Sequence, residues 1–155
     1  MESISIVTHS AKETRKLGML LAGECFKMKR NEHALVIALE GDLGGGKTTF
    51  MQGFARGLGV KEKITSPTFV LLKIFKLTRK NFRHLAHIDA YRLKSARELR
   101  LLGWNELFFD SSNIIVVEWA DKVGSLMPTD CLRIIFDYRD KNERKINVSQ
   151  GKHKK

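Results

Sequence analysis

The chain has 155 residues, 43% hydrophobic and 29% charged, the balance of one globular domain with room for a sizeable core. Its 28 Lys and Arg against 17 Asp and Glu leave a formal net charge of +11, a field that attracts nucleic acid or acidic protein surfaces. No apolar run nears the roughly 18 residues of a membrane span, and "MESISIVTHS" looks like neither a secretory leader nor a transit peptide, so a cytoplasmic protein is expected.

Cys25 and Cys131 form no CxxC pair and read as reduced core thiols. The basic residues are scattered through "FKMKR", "KEK", "KLTRKNFR", "YRLKSARELR" and the tail "GKHKK". No zinc-finger spacing, RNP motif or recognition-helix signature accompanies them. A nucleic-acid contact and a merely solvated basic surface both stay open. With no repeat, no low-complexity linker and only two prolines, one domain over residues 1–150 is expected, followed by a disordered basic tail at 151–155.

In chain order, Ser10 and Glu13 have the S-x-x-E form of a capping box. A helix is predicted from there to about Cys25, with Leu17, Leu20, Leu21 and Cys25 at helical spacing. "ALVIALE" is a short continuous apolar run, the pattern of a strand buried on both faces. A glycine-rich segment follows, and then "KTTFMQGFARGLG" reads as a helix ending near Gly57 or Gly59. "TFVLLKIFKL", the polar turn "TRKN" and "FRHLAHIDAY" predict a hairpin over Thr68 to Tyr91. A helix around Ala96 to Leu102 precedes a buried strand at Ile114 to Trp119, and "CLRIIFDY" with "RKINVS" make a closing β pair. Strands alternating with helices, then antiparallel pieces, predict an α/β domain with a mixed sheet.

Gly41-Asp42-Leu43-Gly44-Gly45-Gly46-Lys47-Thr48 satisfies G-x-x-x-x-G-K-[ST] without adjustment. Glycines allow positive φ, so that successive N–H groups converge on a phosphate at a helix N-terminus. Lys47 reaches β- and γ-phosphate oxygens, and the Thr48 hydroxyl ligates Mg²⁺. The required context, a buried strand before and a helix after, is present. Such a site needs an acidic group at the end of a neighbouring buried strand, and "IIVVE" delivers Glu118 there, at the edge of an α/β sheet where ligands sit.

Asp89 is the second carboxylate. If Ala86 to Tyr91 is extended, His87, Asp89 and Tyr91 share one face. Asp89 then either orients the attacking water and supports the metal shell, or simply pairs with Arg92. His84 and His87 fall on opposite strand faces, which argues against a metal pair. Ser66-Pro67-Thr68 ends the loop after the P-loop helix. Its hydroxyls either meet the γ-phosphate or metal, or merely start a strand. Trp104 and Trp119 are expected as packing residues. No guanine-reading N-K-x-D occurs, and no arginine-bearing lid marks a small-molecule kinase. An ATPase acting on a protein partner is favoured, with a P-loop phosphotransferase as the alternative.

Four motifs together, "GDLGGGKTT" at 41–49, "SPTF" at 66–69, "HIDAYRL" at 87–93 and "VEW" at 117–119, resemble the TsaE (YjeE) family in order and spacing. Glu13-Thr14 with Leu17-Gly18 also looks like that family's first helix, and the resemblance runs from about Ser10 to Ile146. Gly45 stands where an alanine is usual and Ala120 where a proline is frequent. The resemblance implies a P-loop NTPase-like three-layer fold and a cytoplasmic ATPase for threonylcarbamoyladenosine in tRNA, at the adenosine beside the anticodon. It implies TsaD and TsaB as partners, cycled by ATP hydrolysis. It implies phosphate binding by Lys47 and the loop Asp42, Leu43, Gly44, Gly45, Gly46 with Thr48 and Thr49. Mg²⁺ would lie on Thr48 and Glu118, and Asp89 would be the catalytic-site carboxylate. Thr68 would belong to a switch-like loop, Thr14 would lie near the base and Trp119 beside the nucleotide. The basic charge would then serve contact with a tRNA-bearing complex.

Overall fold

A computed structural model describes residues 2–28, 32–42, 44, 46–65, 71–79 and 81–151. The predicted "SPTF" loop, Leu43, Gly45 and tail residues 152–155 lie outside them. Strand β1 (Glu2–Thr8) leads into helix α1 (Ala11–Lys27), then β2 (Leu35–Gly41) and α2 (Lys47–Gly57). The hairpin β3 (Leu72–Lys76) and β4 (His84–Asp89) follows, then short helices α3 (Ala96–Leu101) and α4 (Trp104–Phe108). Strand β5 (Asn113–Glu118), a 3-10 segment (Ala120–Leu126) and the strands β6 (Leu132–Tyr138) and β7 (Arg144–Gln150) complete the order.

The seven strands form one sheet in the order β1-β7-β6-β2-β5-β4-β3. Strands β6, β2, β5 and β4 run parallel, while β1, β7 and β3 are added antiparallel at the flanks. This is the mixed α/β sheet expected. Its centre reads as continuous apolar runs because both faces are covered: all six residues of β5 are buried. On one face Ile37, Leu39, Ile114, Val116 and Ile134 pack with Phe50, Met51 and Phe54 of α2 and Ala22 and Cys25 of α1. On the other, Val36, Ala38, Ile115 and Val117 pack with Leu99, Trp104 and Val123. Each of the larger aliphatic and Phe side chains contributes roughly 1.5–3 kcal/mol when fully buried. The three layers hold the parallel strand ends rigidly at one edge.

Local chemistry explains the element ends. Ser10 caps α1, its hydroxyl accepting the Glu13 N–H at 3.1 Å. The Glu13 carboxylate accepts the His9 N–H, so the cap closes one residue further out than a simple box. Strand β4 stops at Asp89 instead of continuing to Tyr91, because the Asp89 carboxylate accepts the Tyr91 N–H at 2.9 Å and turns the chain. Tyr91 therefore does not share a strand face with His87 and Asp89. Three elements go beyond the sequence reading: α4, the 3-10 segment, and β1, whose residues pair with β7 from Glu2↔Gln150 to Thr8↔Arg144.

Helices α1 and α2 cross at glycines, Gly18, Gly53 and Gly57. A Cβ on Gly53 would overlap the Arg15 carbonyl oxygen, and one on Gly18 would overlap that of Phe50. The close approach carries α2, and with it the glycine-rich loop, against α1. Gly53→Ala should destabilise the protein by about 1–3 kcal/mol despite the better helix propensity of alanine, read as a lower urea midpoint. Cys25 is buried and its thiol is pushed up to about 12 by burial, then by nearby Glu24. Cys131 is likewise buried, and burial raises it too. Both thiols should resist Ellman's reagent at pH 8 and react on unfolding; rapid reaction of the native protein would contradict this packing.

Candidate functional site

The loop between β2 and α2 emerges at the carboxyl edge of the parallel strands. Gly46 occupies the N-cap of α2 at φ 103°, a left-handed conformation that suits glycine, and no side chain caps the helix. The first-turn N–H groups are thus left to a ligand. Lys47, Thr48 and Thr49 begin α2 beside them.

A cavity of about 420 Å³ opens over this helix end. Its wall brings together Thr14, Gly44, Gly46, Lys47, Thr48, Thr49, Glu118 and Trp119 of the sequence-predicted set. Ser10, Ala11, Lys141, Asn142 and Arg144 complete it. Asp42 and Asp89 are not part of that wall.

Lys47 is folded back. Its Nζ donates to the carbonyls of Gly41 and, at 2.8 Å, of Asp42. The same ammonium sits 4.1 Å from the centroid of the Trp119 ring, a cation–π contact. Burial lowers its pKa, opposed by the charges of Glu118 and Asp42. Trp119 takes φ 58°, the one positive-φ residue other than glycine among those described. That turn swings its ring out of the strand and over the loop, where Tyr91 lies against it at 4.9 Å. Trp119 is hence a wall of the site as well as a packing residue. Trp104 is core, stacked on Phe108.

The acidic groups come from adjacent parallel strands, with Asp89 of β4 in register with Glu118 of β5. Side-chain alternation puts His87, Asp89 and Glu118 on the face covered by α1 and α2. Glu118 is buried, and its Oε2 accepts from the His87 Nε2 at 2.6 Å. Among the described residues its other oxygen, Oε1, has no hydrogen-bond partner. Asp89 is buried beside it; burial raises its pKa most, and the Tyr91 N–H opposes that. Glu118 and Thr48 offer oxygen donors in one cavity, which suits a hard cation such as Mg²⁺. No cluster of three or more His, Cys, Asp or Glu side chains that could hold a metal occurs among the described residues. Thr48 on α2 and Asp89 on the neighbouring strand are the oxygen donors nearest Glu118 in the fold.

Thr14 also reaches the wall, its hydroxyl bonded to Thr8 at 2.7 Å and donating to the Ser10 carbonyl. Sequence reasoning expected the β6–β7 pair but not its part in the site. Arg144 donates from Nε to the Gly44 carbonyl at 2.9 Å, and from Nη1 to the carbonyls of Asp140 and Glu143. It pins the glycine loop from 100 residues away. No local signal marks it, since the contact exists only once β7 lies beside β6.

Known proteins resemble this chain over most of its length. The family profile described as threonylcarbamoyl adenosine biosynthesis protein TsaE matches residues 8–146. A tRNA threonylcarbamoyladenosine biosynthesis protein TsaE of Treponema pallidum is 36% identical over 149 residues, covering 92% of this chain and 98% of the relative. The like-named Bacillus subtilis protein is 39% identical over 114 residues, covering 74% and 68%. The crystal structure of Bacillus subtilis YdiB superposes with a TM-score of 0.72 at 30% identity, covering 97% of this chain and 87% of that one.

An anion seated at the helix end should draw the Lys47 ammonium away from the Trp119 ring. Titration with pyrophosphate or ATP is expected to change the tryptophan emission. Trp119→Phe should abolish that response, leaving the constant signal of buried Trp104. An unchanged response in that variant would contradict the assignment.

Proposed function

This chain belongs to the TsaE family of threonylcarbamoyl adenosine biosynthesis proteins, and from that premise we propose that it is its ATPase component. It serves threonylcarbamoyladenosine formation at the tRNA adenosine beside the anticodon, hydrolysing Mg-ATP to cycle a complex with TsaD and TsaB. One observation carries this reading: Lys47 and Thr48 stand at an uncapped helix end facing Glu118 across one cavity. Residues 1–150 work as one P-loop domain. No helix among those described is long and apolar enough to cross a membrane, and the proposed setting is the cytoplasm.

The triphosphate lies at the α2 N-terminus, where backbone N–H groups and the helix dipole favour negative charge. Lys47 exchanges two carbonyl partners for β- and γ-phosphate oxygens, which are stronger acceptors. Thr48 and Glu118 would hold Mg²⁺, which would supply positive charge beside the transferring phosphoryl group. Asp89, one strand over, orients the attacking water. The water oxygen bonds to the γ-phosphorus as the bond to the bridging oxygen breaks, and ADP and phosphate leave.

Arg144 is the arginine of the cavity wall, and its guanidinium is engaged on three backbone carbonyls. It steadies the loop instead of reaching toward a transition state. Turnover by the isolated chain is accordingly slow, and a partner surface completes the site. The net charge of +11 suits contact with a tRNA-bearing complex.

ATP turnover measured with and without TsaD and TsaB tests this reading. Stimulation by the pair is expected, and fast hydrolysis by the isolated chain would overturn partner licensing. Glu118→Ala should cut Mg-dependent turnover by about 100-fold or more while sparing ATP binding in EDTA. Asp89→Asn should slow hydrolysis with ATP still bound.

A further inference from the structure

We propose that His87 is a positioning residue for this site, holding the Glu118 carboxylate in the orientation that presents its second oxygen to the metal; the inference rests on the ATPase reading above. His87 sits mid-strand in β4, 1% exposed, where the sheet alone would be served better by valine or isoleucine. A buried imidazole is costly without a partner. Its partner is Glu118 Oε2 at 2.6 Å, with both side chains 2% exposed. The contact is short and charge-assisted, the stronger class of hydrogen bond.

The register explains why this histidine can do it. His87 lies opposite Val116, two residues before Glu118 on the neighbouring parallel strand and on the same face. The ring therefore reaches forward to the carboxylate from behind, while the cavity lies ahead. Without that hold, Glu118 has a competing attraction. Lys47 lines the same cavity, and Glu118 is the strongest of the charges acting on it. Even so, among the described residues no ion pair joins them. The lysine is retained by the Gly41 and Asp42 carbonyls and the glutamate by His87. His87 thus keeps two opposite charges apart, leaving the ammonium for phosphate and the carboxylate for the cation. A second-layer partner of this kind typically changes metal affinity or activity by about 10–100-fold when lost.

Two polar variants test the inference. In His87→Gln the amide nitrogen stands near the position of Nε2 and can still donate to Glu118; in His87→Asn it is too short to reach. The readout is the affinity for a fluorescent, non-hydrolysable ATP analogue, in EDTA and across a Mg²⁺ titration. His87→Asn should raise the Mg²⁺ midpoint by about 10–100-fold and lower affinity in EDTA as the freed Glu118 draws Lys47 from phosphate, and His87→Gln should restore both. Turnover of His87→Asn should recover at high Mg²⁺, a change in the metal requirement rather than in the maximal rate. Equal midpoints in both variants and wild type would overturn the proposal. So would equal impairment of Gln and Asn, which would mark a packing role only. A wild-type chain whose nucleotide affinity ignores Mg²⁺ would instead overturn the ATPase reading beneath it.

Discussion

The helix α2 begins without a cap, and the site depends on that. Four N–H groups at a helix start have no intrahelical acceptor. In α1 the Ser10 side chain answers one of them; in α2, Gly46 has no side chain to offer. The unmet donors lie by a cavity at the edge of a parallel sheet, beside a lysine held by two carbonyls and the Trp119 ring. Such an end is poorly satisfied until an anion arrives. The close α1–α2 crossing at Gly18 and Gly53 keeps it from relaxing elsewhere.

The sheet supplies the opposing charge. Because β4 and β5 are parallel and in register, Asp89 and Glu118 reach the same level at the carboxyl edge. Alternation then turns both, with His87, toward the α2 side. The Glu118 charge raises the cost of ionising Asp89 and the Tyr91 N–H offsets part of it, while the His87 imidazole partners Glu118. The polar groups are thereby partnered individually before any ligand binds. This lets a cluster of charges survive at the end of an otherwise apolar strand pair.

What was legible in the sequence was what is local. The run "ALVIALE", the glycines and Lys47 occupy one stretch, so strand, loop and helix could be read together. "IIVVE" announced a buried strand with a carboxylate at its end. The contacts that escaped are those made across the chain. Arg144 meets Gly44 at a separation of 100 residues and His87 meets Glu118 at 31; neither pairing has a periodicity to betray it. His87 was set aside as half of an unworkable metal pair with His84, which the strand geometry supports, yet its partner lay on another strand. Strand β1 was missed because its pairing partner is β7, at the far end of the sequence. The positive φ of Trp119 belongs to a turn after β5 that tertiary packing imposes on an ordinary residue.

The antiparallel wing has a mechanical consequence. Strands β1 and β7 pair from Glu2↔Gln150 inward to Thr8↔Arg144. Tension applied between the outer ends of these two strands would open the ladder one rung at a time, as a zipper rather than in shear. The last rung to part holds Arg144, which clasps the glycine loop, and Thr8, whose hydroxyl meets Thr14 on the cavity wall. Peeling would therefore run harmlessly along the ribbon until its final step, and only then loosen the nucleotide pocket.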